Sequence, residues 1–168
     1  MSTGVQTLPQ GRPTTARRMA FARAALVIAV VIAVDQLTKH VVADGIADDH
    51  TIHIIPGLKL VHIENPGVAF GFLAGGGAIV YVVTSVALLS LIAYLALRPQ
   101  RRLLWLPTGM LIGGAISNLI DRIANGAVTD FIKLPHWPAF NLADTSITLG
   151  VVVLLLVVEA GRGGSGDP

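Results

Sequence analysis

Four long apolar runs alternate with short polar connections along the chain. They cover residues 21–42, from Gly67 or Ile79 to Leu97, 103 to about 124, and about 143–160. A transmembrane helix needs roughly 20 apolar residues, so each run is long enough to cross a bilayer. The pattern therefore predicts four membrane-spanning helices.

The two ends of the chain lack apolar periodicity. Residues 1–18 are polar and basic, and residues 161–168 are rich in glycine, so both are predicted to be mobile tails around a single domain over residues 19–160. A basic flank before a short apolar run is also typical of a cleaved signal peptide. The later apolar runs, and the polar residues that follow Asp35, favour a retained span instead.

Basic residues are distributed unevenly between the two sides of this layout. Eight arginines fall near the N-terminus, after the second span or at the C-terminus, against four basic residues on the opposite side. Cytoplasmic segments of membrane proteins carry an excess of Lys and Arg. Both termini are therefore predicted to be cytoplasmic, with residues 43–66 and 125–142 outside the plasma membrane.

The two outer segments contain short strand patterns. Residues 51–65 alternate in their second half around Pro56-Gly57, which predicts a β-hairpin, and residues 128–134 can supply another strand. Trp137 and Phe140 are residue types that membrane interfaces favour. The predicted fold class is an all-α membrane protein with four transmembrane helices, a small extracytoplasmic β-cradle and a surface loop or helix.

Composition excludes several classes of protein. Of the 168 residues, 53% are hydrophobic and only 13% are charged, whereas a soluble domain carries about 25% charged residues. A net charge of +2 is too balanced for a nucleic-acid-binding surface. The chain has no cysteine, which excludes a thiolate nucleophile, and its five histidines lack the spacing of a helical zinc motif.

Each ionisable side chain inside a span raises the free energy of membrane insertion by roughly 2.5–3.5 kcal/mol. Such residues are therefore expected to have a structural or functional role. Asp35 and Lys39 are four residues apart on one helical face and can form a self-neutralising ion pair. Gly114, Asn118 and Asp121 align along one stripe of the third span. The amide of this stripe can orient its carboxylate.

Two carboxylates mark the outer ends of neighbouring spans. Asp121 closes the third span, and Asp144 opens the fourth on the same side. If the helix ends are adjacent, the carboxylates share a proton, which suits general acid–base hydrolysis of a peptide bond. Two structural alternatives stay open: Asp121 at the membrane edge beside a snorkelling Arg122, and Asp144 in a capping box with Asn141.

Five sequence blocks, in this order, resemble those of bacterial lipoprotein signal peptidases, the signal peptidase II family of aspartic endopeptidases in the plasma membrane. The blocks are 35–39 (DQLTK), 65–70 (NPGVAF), 113–122 (GGAISNLIDR), 128–132 (VTDFI) and 140–144 (FNLAD). The resemblance implies that Asp121 and Asp144 are the catalytic residues. Ser117 stands where the family more often has glycine, and we expect only a minor effect on helix packing.

The resemblance also implies roles for other residues. Asn65, Asn118, Arg122 and Asn141 match polar positions that line the family's site, while Asp35 and Lys39 match positions that support its structure. The implied reaction removes the signal peptide from a diacylglyceryl-modified prolipoprotein, on the N-terminal side of the lipidated cysteine, with no metal or organic cofactor. The implied partners are these precursors, membrane lipid and globomycin-type inhibitors, and the chain is expected to act as a monomer.

Two functions from other classes compete with the peptidase. A small proton-coupled transporter would use intramembrane carboxylates, but it predicts them near the middle of the bilayer, whereas Asp121 and Asp144 lie at helix ends. A non-enzymatic membrane scaffold would use Gly113 and Gly114 as a packing face. The scaffold predicts that replacement of either aspartate leaves function intact.

Overall fold

The structure is a computed structural model that describes residues 13–47, 50–66, 86–87, 89–94, 96–97 and 103–163. In chain order its elements are α1 (Pro13–Gly45), β1 (Thr51–Ile55), β2 (Leu58–Asn65), α2 (the described residues within 86–97), α3 (Trp105–Asn125), β3 (Val128–Lys133) and α4 (Leu142–Gly163). Most of the predicted second span lies outside the described residues.

Two of these helices are long and apolar enough to cross a membrane. The qualifying segments are Thr15–Gly45 of α1 and Leu142–Ala160 of α4. Their large apolar side chains are mostly turned outward, with Leu26 of α1 66% exposed and Leu155 of α4 64% exposed. Continuous exposed apolar surface of this kind is unfavourable in water and favourable in hydrocarbon. The predicted membrane class, with a small sheet beside the helices, is confirmed at this level.

Helix α1 begins earlier than the predicted first span. Residues 13–18, which the sequence assigns to the N-terminal tail, are helical. Pro13 occupies the first helical position, where the absence of a backbone N–H costs no hydrogen bond. The guanidinium of Arg17 then lies 5.8 Å from the ring centre of Phe21, one turn further along. The helix therefore extends beyond its apolar part into the basic flank.

Helix α3 packs against both α1 and α4, and glycines permit the close approach. A Cβ atom on Gly109 would lie 2.7 Å from the Cβ of Val27, and one on Gly114 would lie 2.5 Å from the carbonyl oxygen of Ala143. Small residues let the backbones of membrane helices come together in this way. Gly114 thus brings α3 against the first turn of α4, directly beside Asp144.

The three strands form one antiparallel sheet in the order β1-β2-β3. The predicted hairpin is confirmed, and Gly57 in its turn has a φ of 88°, a conformation that favours glycine. Phe131 of β3 packs against Val42 and Ile46 at the C-terminal end of α1. The sheet is therefore held at the end of the helices where α4 begins.

The segment between β3 and α4 is a loop rather than a surface helix. The N–H of Trp137 donates to the carbonyl of Leu134 at 3.3 Å, which closes a turn, and the N–H of Phe140 donates to the carbonyl of Ile132 at 3.0 Å. Pro135 and Pro138 interrupt any helical hydrogen-bond pattern between these contacts. The loop folds back along β3 and forms one wall of the site.

Candidate active site

A buried ionic cluster joins α1 to α3. The Nζ atom of Lys39 lies 2.6 Å from Asp35 Oδ2 and 2.6 Å from Asp121 Oδ2, and it donates to Asn118 Oδ1 at 2.9 Å. The three charged residues are no more than 4% exposed. The predicted Asp35–Lys39 pair is present, but the same ammonium also serves Asp121. A single cation thus stabilises two carboxylates away from solvent.

Further hydrogen bonds tie this cluster to the start of α4. Asp35 Oδ1 accepts the backbone N–H of Ala143 at 2.7 Å, and Asp35 Oδ2 accepts the hydroxyl of Ser117 at 2.8 Å. The amide of Gln36 donates to Ser117 Oγ at 3.1 Å and to Asp121 Oδ1 at 2.7 Å. Oδ1 of Asp121 therefore accepts a hydrogen bond from α1 and Oδ2 is ion-paired with Lys39 of α1, while Asp35 holds the first turn of α4.

Ser117 has more consequence than the sequence comparison predicts, because its fully buried hydroxyl bridges Gln36 and Asp35. We expect Ser117→Ala to lower the free energy of unfolding by about 1.5–3 kcal/mol, since the lost bond is to a charged group. Unfolding in detergent measures the loss. Ser146→Ala is the matched control, because that hydroxyl donates to the neutral carbonyl of Met110, and we expect a loss of only about 0.5–1.5 kcal/mol. Equal losses would contradict this assignment.

Asp144 is held at the N-terminus of α4 by a reciprocal cap. Its backbone N–H donates to Asn141 Oδ1 at 2.9 Å, and its Oδ2 accepts the backbone N–H of Asn141 at 3.4 Å. This is the capping box that the spacing permits. The other oxygen, Oδ1, accepts the amide of Asn118 at 2.8 Å. Asp144 can therefore cap α4 through Oδ2 and contact the rest of the site through Oδ1 at the same time.

A third aspartate, Asp130 of β3, joins Asp144 in the site. It is 2% exposed, and its two oxygens accept amides from Asn65 at 3.0 Å and Asn141 at 2.8 Å. Burial raises the pKa of Asp130 to about 6; the hydrogen bond from Asn65 opposes this rise, and the negative charge of Asp144 adds to it. Sequence reasoning overlooked this residue, although it stands in the middle of the matching 128–132 block.

These residues surround a cavity of about 470 Å³ between β3, the loop and α4. Its polar wall consists of Asn65, Asn118, Arg122, Asp130 and Asp144. The apolar part includes Leu134, Trp137, Phe140, Ile147 and Leu149. Asp121 is not among the lining residues and lies behind the wall in the ionic cluster. The cavity therefore presents Asp130 together with Asp144.

Asn118 and Asn141 connect the cavity to the ionic cluster. Asn118 donates to Asp144 through Nδ2, while its Oδ1 accepts both Lys39 Nζ and the amide of Asn141. Arg122 follows on the cavity side, and its Nη1 donates to the carbonyl of Asn118 at 3.2 Å. The polar residues singled out in the sequence thus gather in one continuous network. The network thus brings the carboxylates of Asp130 and Asp144 to one cavity, each hydrogen-bonded to a side-chain amide.

The model of the family described as Signal peptidase (SPase) II matches residues 27–159 of the chain. The chain belongs to the signal peptidase II family. Among its relatives, the lipoprotein signal peptidase of Moorella thermoacetica is 41% identical over 83% of this chain and 95% of that protein. The lipoprotein signal peptidase of Halothermothrix orenii is 38% identical over 78% of this chain and 91% of that protein.

Solved structures agree with this membership of signal peptidase II. One bacterial membrane enzyme determined by the in meso method superposes with a TM-score of 0.78 at 27% identity, covering 86% of this chain and 92% of that one. A second such structure gives a TM-score of 0.71 at 30% identity, covering 80% of this chain and 91% of that one. The fold described above is therefore the fold of known membrane enzymes.

Membership of signal peptidase II confirms the function predicted from the sequence. The protein is a membrane-embedded aspartic endopeptidase that removes the signal peptide from prolipoproteins. Globomycin is an inhibitor of this family. The transporter and scaffold alternatives are not favoured, because neither accounts for membership of a peptidase family.

Proposed function

We propose that Asp130 and Asp144 are the catalytic pair, in place of the Asp121–Asp144 pair expected from the sequence. The observation that carries this proposal is the cavity, which both Asp130 and Asp144 line. The carboxylate of Asp121 instead forms an ion pair with Lys39 Nζ at 2.6 Å and accepts a hydrogen bond from the Gln36 amide at 2.7 Å. This carboxylate belongs to the buried ionic cluster and does not line the cavity that a substrate would enter.

In the proposed mechanism one proton is shared between Asp130 and Asp144. The ionised carboxylate accepts a proton from water as the water oxygen attacks the scissile carbonyl carbon, and the protonated carboxyl donates to the carbonyl oxygen. The tetrahedral intermediate collapses as the C–N bond breaks: the leaving amine takes up a proton from the pair, and a hydroxyl of the intermediate returns its proton to the pair as the C=O bond re-forms. Asn118 and Asn141 keep the two side chains in place, and Arg122 at the rim orients the peptide.

We propose that Asp130 is the member of the pair that starts protonated, and the pH profile tests this role. Because its pKa is raised to about 6, kcat/KM is expected to fall as the pH rises through that region. The hydrogen bond from Asn65 lowers the pKa, so Asn65→Ala should move this alkaline limb to higher pH and reduce kcat several-fold. Turnover of a lipid-modified peptide in detergent, measured against pH, checks the shift.

Asn125→Ala is the control for this profile, because Asn125 is exposed at the end of α3. Its alkaline limb should coincide with that of the unmodified enzyme. An alkaline limb in Asn65→Ala that stays in place, or moves to lower pH, contradicts proton donation by Asp130.

The proposed placement is a four-span protein of the bacterial plasma membrane, with a single domain that includes all of α1 and α4, both termini cytoplasmic, and the site near the outer face. The asymmetry of basic residues supports this orientation. Exposed Arg17 and Arg18 stand near the start of α1, whereas the sheet and cavity lie at its other end. Peptide-bond hydrolysis would then occur where a lipidated precursor reaches the outer membrane surface.

The apolar wall of the cavity supports the proposed partners. Leu149 lines the cavity and is also 51% exposed on the apolar surface of α4. The cavity therefore opens toward the surface that contacts lipid, so a diacylglyceryl-modified precursor can enter from the bilayer without leaving hydrocarbon. We propose that the same apolar wall and carboxylates bind globomycin-type inhibitors, and that the protein works as a monomer.

A further inference from the structure

Two of the chain's three lysines stand directly opposite each other in the sheet. Lys59 of β2 pairs in register with Lys133 of β3. Like charges at opposed positions destabilise an antiparallel pair. Among the described residues, neither strand lysine forms an ion pair with a carboxylate. The fold thus places two ammonium-bearing side chains together without a counter-charge from the described part of the chain.

These lysines border a small cavity of about 180 Å³, distinct from the catalytic one. Gly57, Leu134, Pro135 and His136 complete its wall. His136 has a φ of 58°, a left-handed conformation that costs energy for a residue other than glycine. Lys133 Nζ donates to the carbonyl of Trp137 at 2.9 Å, which holds this turn against the strand. The inner surface of this concavity is almost entirely apolar, so the two lysines and the histidine contribute mainly their carbon atoms to it and their polar ends lie outside it.

The position of this cavity relates it to the membrane surface. Alternate residues of a strand share a side, so Lys133 lies on the side of Phe131, which packs on Val42 and Ile46 at the end of α1. Two residues of strand extend roughly 7 Å, so Lys133 lies within about that length of strand from the contact with the C-terminal end of α1. Nearby Ile55 and Trp137 are 59% and 55% exposed. Such a mixture of cationic, aromatic and apolar groups fits the headgroup layer of a bilayer.

We propose that Lys59, Lys133 and His136 bind the phosphate of an anionic phospholipid headgroup and so anchor the sheet to the outer membrane surface. The two ammonium groups supply the charge, the imidazole supplies a hydrogen bond, and Leu134 and Pro135 contact the apolar part of the lipid. Leu134 also lines the catalytic cavity, so the bound lipid borders the path of the substrate. This inference rests on the membrane placement proposed above.

A lipid titration tests the proposal on the purified full chain in non-ionic detergent. Short-chain phosphatidylglycerol is expected to raise the unfolding temperature at a far lower concentration than phosphatidylcholine of the same chain length. Lys59→Gln combined with Lys133→Gln should raise the half-saturating concentration of phosphatidylglycerol by roughly thirtyfold, or about fivefold for each lysine. The matched control, Lys59→Arg combined with Lys133→Arg, keeps both charges and should retain the response.

Four outcomes would overturn the proposal. Two of them are an equal rise in unfolding temperature with both lipids, and an unchanged response to phosphatidylglycerol in the glutamine variant. The third is stabilisation by inorganic phosphate at the same concentration as the lipid, which would make the site one for soluble anions. The fourth is stabilisation by an acidic peptide but not by the lipid, which would mean that the lysines bind the peptide part of the substrate. The titration needs no turnover, so its failure is independent of the catalytic assignment.

Discussion

Asp130→Asn is expected to lower the rate of prolipoprotein cleavage by about 10²–10⁴-fold, the range that a positioned general acid or base contributes. Asparagine keeps the shape of the side chain but cannot exchange a proton with Asp144. Of the two amides that bind Asp130, from Asn65 and Asn141, one still meets the carbonyl oxygen and the other faces the new NH2 group, so the variant should fold with a lower free energy of unfolding. Single-turnover cleavage of a lipid-modified precursor peptide, beside thermal unfolding in the same detergent, separates loss of chemistry from loss of structure.

Three companion variants sharpen this test. Asp144→Asn should lose activity to a similar extent, because it removes the other half of the pair. Glu64→Gln, at an exposed carboxylate of β2, should cleave normally. Asp121→Asn should act mainly on stability, because it removes a partner of Lys39. If folded Asp130→Asn cleaves at a near-normal rate while folded Asp121→Asn is inactive, the catalytic pair is the one expected from the sequence.

Lys39→Met is expected to destabilise the protein by about 3–5 kcal/mol, the cost of breaking a buried ion pair. Methionine preserves most of the side-chain volume, so the loss is electrostatic rather than a cavity. Asp35 and Asp121 would then face each other in a buried space without the ammonium that lies 2.6 Å from each. Asn118 Oδ1 would also lose its donor. The free energy of unfolding in detergent measures the effect.

A double variant shows whether the charge or the packing is responsible. Lys39→Met combined with Asp121→Asn removes one of the two orphaned carboxylates, so it should recover part of the stability lost in Lys39→Met alone. Substitutions within one charge network are expected to change the free energy of unfolding in this non-additive way. Additive losses would mean that Lys39 contributes through packing and that the ionic cluster is not the source of stability.

Local patterns in the sequence were sufficient for much of this structure. Helices α1 and α4 follow from runs of apolar residues, and the hairpin around Gly57 follows from alternation and turn residues. The cap between Asn141 and Asp144 follows from their spacing of three. Each of these features depends on neighbours within a few residues, so a single sequence contains the necessary information. The start of α1 at Pro13 was not predicted, because the apolar run shows which residues cross the membrane and not how far the helix continues beyond them.

The sequence does not predict in the same way which second aspartate lines the cavity with Asp144. Asp121 lies at the end of the third apolar run and Asp130 only nine residues later, and the helical spacing that singled out Asp121 does not show which of them meets the cavity. The distinction comes from Lys39 on α1, which reaches Asp121 across the helix interface, and from Asn65 and Asn141, which hold Asp130 beside the cavity. The bridging role of Ser117 is likewise invisible until α1 and α3 are packed.

The sequence by itself determined the membrane class, the apolar helices, the hairpin and the family, because periodicity, turn chemistry and motif order are properties of the linear chain. The tertiary structure alone decided which acidic side chain lines the cavity with Asp144 and which is ion-paired with Lys39. The physical reason is that the proton affinity of a carboxylate depends on the charges and amides brought to it from distant elements. Those neighbours exist only after α1, α3, β3 and α4 have packed together.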